Sequence, residues 1–187
     1  MRKHASTGLC TLGGFEIEVN GWIKGDPGRQ RLASALLIDI CGVGRMNRQF
    51  GTRTGDKLMN AAATLLDEVV RKNRGFEIVA QIYGQQFLFF FGDTGTRNAT
   101  SAAERLRQDF ADEVFKKEKH DIDVTVSCAV TELQSKDDMT SLLDRLNATL
   151  TAAKKNGGNC PMLDEGNGPS AVTPPDYQIP RSVIAVE

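Results

Sequence analysis

With 187 residues, 40% hydrophobic and 25% charged, the chain has the length and composition of one globular domain with a real hydrophobic core. Its 23 basic and 24 acidic residues leave a formal net charge of -1, so no global field gathers nucleic acid or an anionic membrane. Cys10, Cys41, Cys128 and Cys160 form no CxxC pair and only two histidines accompany them, which argues against a structural zinc site. Three of these cysteines sit in or beside apolar runs, so they are expected reduced and buried, a pattern that favours the cytoplasm. No stretch approaches the roughly 18 apolar residues of a membrane span, and the first ten residues lack the apolar core of a signal peptide.

In chain order, the run ASALLIDI at 33–40 predicts a strand buried on both faces, with Asp39 near its end. Residues 42–50 form a short polar and basic stretch compatible with a helix, and 51–54 break it. Leu58, Met59, Ala62, Leu65, Leu66, Val69 and Val70 recur at helical spacing, predicting a helix from Gly55 to about Asn73 with Gly75 as its stop. Two short apolar runs, 76–81 and 86–91, flank Tyr83 and Gly84 and predict a β-hairpin. A second amphipathic helix is expected over about 98–117, a strand over 124–130, a third helix over 138–155 and a short edge strand over 160–163. Beyond Asp164, four of the six prolines gather with glycine and serine, so residues 164–187 are expected to form an extended or disordered tail on a domain covering 1–163. This order of elements predicts an α/β (α+β) fold, a mixed central sheet with helices packed over it.

Several motifs stand in one order. Thr7-Gly8-Leu9 with Phe15 comes first, then Leu37-Ile38-Asp39-Ile40-Cys41 followed by Asn47, Gly51, Gly55, Asp56 and Leu58. The hairpin segment Tyr83-Gly84-Gln85-Gln86-Phe87 precedes LFFF, then come Val124-Thr125-Val126-Ser127 and Ala153-Lys154-Lys155-Asn156-Gly157-Gly158-Asn159. Together these resemble the GGDEF (diguanylate cyclase) family over roughly residues 5–160, in the order TGL, DxD strand, NDxxGHxxGD run, signature hairpin, VTVS strand and closing AKxxGRN. The resemblance implies the nucleotidyl cyclase-like fold with a ferredoxin-like palm, and a role in bacterial cyclic di-GMP signalling. Tyr83, Gly84, Gln85, Gln86 and Phe87 stand where the family carries its five signature letters.

A diguanylate cyclase must hold GTP and divalent ions while a ribose hydroxyl attacks an α-phosphate, and hard oxygen ligands must hold those ions. The resemblance assigns a metal-ligand role to Asp39 and the Ile40 carbonyl, with Mg²⁺ and GTP as the implied cofactor and substrate. Its acidic third and fourth letters are here Gln85 and Gln86, neutral amides that weaken cation binding and cannot act as a base. Tyr83 replaces a glycine where the nucleotide approaches the backbone. The positions of two phosphate-binding cations are Gly44 and Gly158, leaving Lys154, with Arg45 as a partial substitute. Asn47 and Asp56 match the guanine-reading positions. Arg74 and Glu77 stand where many relatives carry the RxxD inhibitory site.

Each residue also has a plainer reading: Asp39 caps a turn, Asp56 and Lys154 answer a helix dipole, and Asn47 is a helix-end residue. The sequence therefore points to a degenerate GGDEF domain acting as a regulatory module, through GTP, cyclic di-GMP or another protein domain. The alternative is a weakly active cyclase that works as a homodimer.

Overall fold

The central strand sets the architecture. In the computed structural model, which describes residues 3–25, 31–72, 75–112, 114–117, 120–172 and 183–185, residues 33–40 are buried without interruption. A strand this apolar on both sides needs cover on both faces, and helices supply it. The elements run α1 (Leu12–Lys24), β1 (Ala33–Cys41), α2 (Val43–Phe50), α3 (Thr52–Lys72), β2 (Glu77–Tyr83), β3 (Gln86–Gly92) and α4 (Thr96–Asp112). They continue with β4 (Val114–Lys117), β5 (His120–Ile122), β6 (Thr125–Glu132), α5 (Met139–Lys155), β7 (Pro161–Asp164), β8 (Ser170–Ala171) and β9 (Val183–Ala185).

The main sheet has the order β2-β3-β1-β6-β7-β8, and β5-β4-β9 forms a second, smaller sheet. All neighbours in the main sheet are antiparallel except β6 and β7, so the sheet is mixed as expected. Alternation along the strands divides the core in two. Leu36, Ile38 and Ile40 join Phe87, Phe89, Leu58, Leu66, Ala103 and Phe110 beneath α3 and α4. Ala33, Ala35 and Leu37 join Leu88, Phe90, Phe15, Val19, Leu142 and Leu146 beneath α1 and α5.

Some boundaries differ from the sequence expectation. α1 was not anticipated, because Gly13, Gly14 and Gly21 are poor helix formers. Its buried Phe15, Val19 and Trp22 nevertheless keep helical spacing, and Thr11 caps it by accepting from the Gly14 N–H at 3.3 Å. α3 begins at Thr52 and contains Gly55, so only Gly51, with φ of +86°, separates it from α2. The helix expected to reach 117 stops at Asp112. Val114–Lys117 is instead a strand whose Phe115 stacks on Phe110 with ring centroids 6.3 Å apart. β7 is not an edge strand, since β8 pairs outside it. Beyond Asp164, where no fold was assigned, β8 pairs with β7 and β9 runs parallel to β4.

Candidate functional site

Asp39 lies near the end of β1 and is only 3% exposed, between Gln86 of β3 and Ser127 of β6 as its cross-strand neighbours. Odd-numbered residues of β1 face α5, so the carboxylate is presented to that helix. A buried carboxylate needs partners, and three are in reach. Gln85 Nε2 donates to Oδ1 at 3.1 Å, Gln86 Nε2 donates to Oδ2 at 2.9 Å, and Lys154 Nζ lies 2.9 Å from Oδ2. The amide orientations follow from chemistry, because an ionised carboxylate can only accept. Both oxygens of Asp39 are thus engaged by positive or hydrogen-bearing groups. The Ile40 N–H donates to the Gln85 carbonyl at 3.1 Å, tying the turn to the strand end.

The hairpin that carries the two glutamines is built for a tight reversal. Tyr83 pairs with Gln86, leaving Gly84 and Gln85 as the turn, and Gly84 has φ of +49°, which glycine adopts without strain. Gln81 locks this turn from below. Its Nε2 donates to the Gly84 carbonyl at 2.7 Å, and its Oε1 accepts from the Thr7 hydroxyl at 2.9 Å. Its own N–H donates to the Cys10 carbonyl at 3.0 Å, so the N-terminal Thr7-Gly8-Leu9 turn and the hairpin form one unit.

On the other side of the turn lies a pocket of about 380 Å³ whose lining includes Gly44, Asn47, Gly55, Asp56, Gly84 and Gln85. Asn47 Oδ1 is buried there without a hydrogen-bond partner. Its position depends on Gly55, since a Cβ at 55 would fall 1.8 Å from that oxygen. Asp56 is exposed, and because α3 starts at Thr52 rather than Gly55 it lies beyond the first turn, not at the helix start where a capping or dipole role was expected. Asn47 and Asp56 are therefore brought together, Asp39 and Lys154 are brought together, and Gln85 belongs to both groups.

The remaining candidates fall elsewhere. Tyr83 is 60% exposed and is not part of the pocket lining, so the side chain expected to crowd the nucleotide stands outside it. Phe87 is fully buried in the core. Arg45 lines a separate cavity of about 240 Å³ with Gln49, Phe50 and Asp123. Gly158 has φ of +69°, and a Cβ there would lie 3.4 Å from Ser127 Oγ. Glu77 opens β2 opposite Phe91, while Arg74 lies outside the described residues. Sequence reasoning missed Gln81, whose only signal is an amide inside an apolar strand run, and also missed His4 and Ser6, which complete the pocket wall.

The other polar groups serve the scaffold. Glu104, fully buried on α4, is held by Arg107 through two bonds of 2.8 and 2.7 Å and by Gln108 at 2.8 Å. All four cysteines are free. Complete burial pushes the Cys128 thiol far above its ordinary range, with the Glu104 carboxylate adding to the shift. No helix among the described residues is long and apolar enough to cross a membrane.

The family model described as diguanylate cyclase, GGDEF domain, matches residues 7–160. Diguanylate cyclase A of Treponema denticola is 25% identical over 144 residues, covering 76% of this chain and 38% of its own length. A diguanylate cyclase of Vibrio cholerae is 30% identical over 127 residues, covering 67% of this chain and 38% of its own length. The chain thus spans 38% of the length of these two curated relatives. Among solved structures, the GGDEF domain of DgcB from Caulobacter crescentus, in complex with c-di-GMP, superposes with a TM-score of 0.78 at 21% identity, covering 87% of this chain and 98% of that one. With its mixed sheet, its signature hairpin beside Asp39 and a family match over most of its length, the chain belongs to the GGDEF domain family.

Proposed function

We propose that this GGDEF domain does not make cyclic di-GMP and serves as a regulatory module that takes a guanine nucleotide in the pocket of Asn47 and Asp56. One observation carries the loss of catalysis: both oxygens of Asp39 are occupied by Gln85, Gln86 and Lys154. Two-metal displacement needs anionic oxygen ligands. Here two positions that carry acids in the family hold amides, and their N–H groups turn toward the one carboxylate left. Losing a metal ligand and a nearby acid together costs many orders of magnitude when groups act as a unit.

The nucleotide reading rests on the pocket. Asn47 Oδ1 is a buried acceptor without a partner, and a carboxylate stands beside it at Asp56. Two acceptors suit an edge rich in donors. Guanine offers a ring N–H and an exocyclic amino group side by side, whereas adenine offers only its amino group. Calorimetry should therefore register GTP, GDP or cyclic di-GMP and not ATP. Heat from none of them would leave a module that works through protein contacts alone.

The first experiment is incubation of the purified protein with GTP and Mg²⁺, and again with Mn²⁺, followed by chromatography. No cyclic di-GMP is expected. Product that disappears in Asp39→Ala would replace this reading with that of a weak cyclase.

A further inference from the structure

In a site built for divalent ions, the charge nearest the strand-end carboxylate would be a metal. Here it is the Lys154 ammonium, 2.9 Å from Asp39 Oδ2. We propose that Lys154 is the resident cation of this site, standing where the family's fold implies a divalent ion, and that the adjoining pocket takes its nucleotide metal-free. The ligand part of this inference rests on the guanine-nucleotide reading above; the cation part does not.

Charge balance is the first argument. Asp39 contributes one negative charge, Lys154 one positive, and Gln85 and Gln86 none, so the cluster is already neutral. A divalent ion would have to expel an ammonium and turn two amide N–H groups away from the carboxylate. From the protein it would then receive a single anionic ligand, where Mg²⁺ wants a near-octahedral set of oxygens. Among the described residues, no group of three histidine, cysteine, aspartate or glutamate side chains is arranged to hold a metal.

Placement is the second argument. Lys154 sits in the last turn of α5, where the helix carbonyls favour a cation, and its neighbour Ala153 is fully buried, anchoring that turn on the sheet. Gly157 and Gly158, with φ of +99° and +69°, turn the chain three and four residues later, and a Cβ on Gly158 would lie 3.4 Å from Oγ of Ser127, the cross-strand neighbour of Asp39. An ammonium carries three donors, and its bond to Asp39 uses one. With its side chain 44% exposed, Lys154 keeps the others open to a ligand's phosphate.

The test uses Mn²⁺ as the probe, counted by electron paramagnetic resonance of the free ion, with no nucleotide present and with folding of each variant checked by circular dichroism. The wild-type protein is expected to leave Mn²⁺ free, and Lys154→Met combined with Gln85→Asp to bind it about tenfold or more tightly than wild type. Wild-type binding of one Mn²⁺ that Asp39→Asn abolishes would overturn the proposal, and so would a folded double variant with no gain. GTP titrated in EDTA and in Mg²⁺ should bind equally well, and Lys154→Met should weaken GTP more than guanosine. A requirement for Mg²⁺ would overturn metal-free binding. Silence of every nucleotide in both buffers would overturn the ligand part, while the Mn²⁺ count would still decide the cation part.

Discussion

Asn47 Oδ1 occupies the space that a side chain at 55 would take, so the glycine is there for the asparagine rather than for the helix. Alanine at an interior helix position is better than glycine by about 1 kcal/mol, which sets helix propensity against side-chain position. The atom in the way is the end of a short flexible side chain, which can swing aside. Gly55→Ala is therefore expected to leave the thermal midpoint nearly unchanged while weakening GTP by about tenfold, the worth of one or two hydrogen bonds, as read by calorimetry. Lys154→Met asks the opposite question. It removes the charged partner of a buried carboxylate, but the lysine is half open to water and the two amides stay. A loss of about 1–2 kcal/mol is expected, between an exposed and a buried pair, measured by denaturant midpoint. Cys128 should resist alkylation at neutral pH until the protein unfolds, because burial keeps its thiol protonated.

At the scale of elements, glycine again marks a close approach. A Cβ on Gly92, at the end of β3, would lie 2.7 Å from two ring atoms of Trp22 on α1, within a cluster where Trp22 meets Phe90 at a centroid distance of 5.2 Å. Neither a strand backbone nor an indole wedged against Phe76 and Phe90 can step aside, so Gly92→Ala should destabilise by about 1–3 kcal/mol in urea unfolding. This contact was invisible in the sequence because α1 itself was. β1, α3 and α5 were legible because their apolar periods are long and end in turn residues. The α1 segment carries three glycines that mask its helical period, and Phe110 and Val114 stand four apart, which imitates a helix across the start of β4. The site was half legible. Asp39 and the YGQQF turn could be found from the order of motifs, but the bond from Lys154 to Asp39 depends on how α5 lies across β1, which no local pattern encodes.

At the scale of the whole molecule, one half-buried network fastens the start of α5 to the end of β6. Arg145 donates to Thr131 Oγ1 at 2.7 Å, to Asp137 Oδ1 at 3.0 Å and to the Glu132 carbonyl at 2.9 Å. Burial works against the Asp137 charge, but hydrogen bonds from Arg145 and the Gln134 N–H outweigh it and hold the carboxyl below its ordinary range. A carboxyl whose folded pKa is depressed stabilises the fold above its unfolded pKa, and that contribution is lost as pH falls through the folded value. Stability should accordingly fall below about pH 4, and Asp137→Asn should flatten that part of the curve in denaturant titrations across pH. The main sheet, finally, ends in β2 on one side and β8 on the other. The Cys10 segment bridges to Ala80 along the first, and the second is two residues long. Among the described residues, neither margin of the main sheet offers a long open ladder to a foreign strand, which guards this sheet against growing sideways into fibrils.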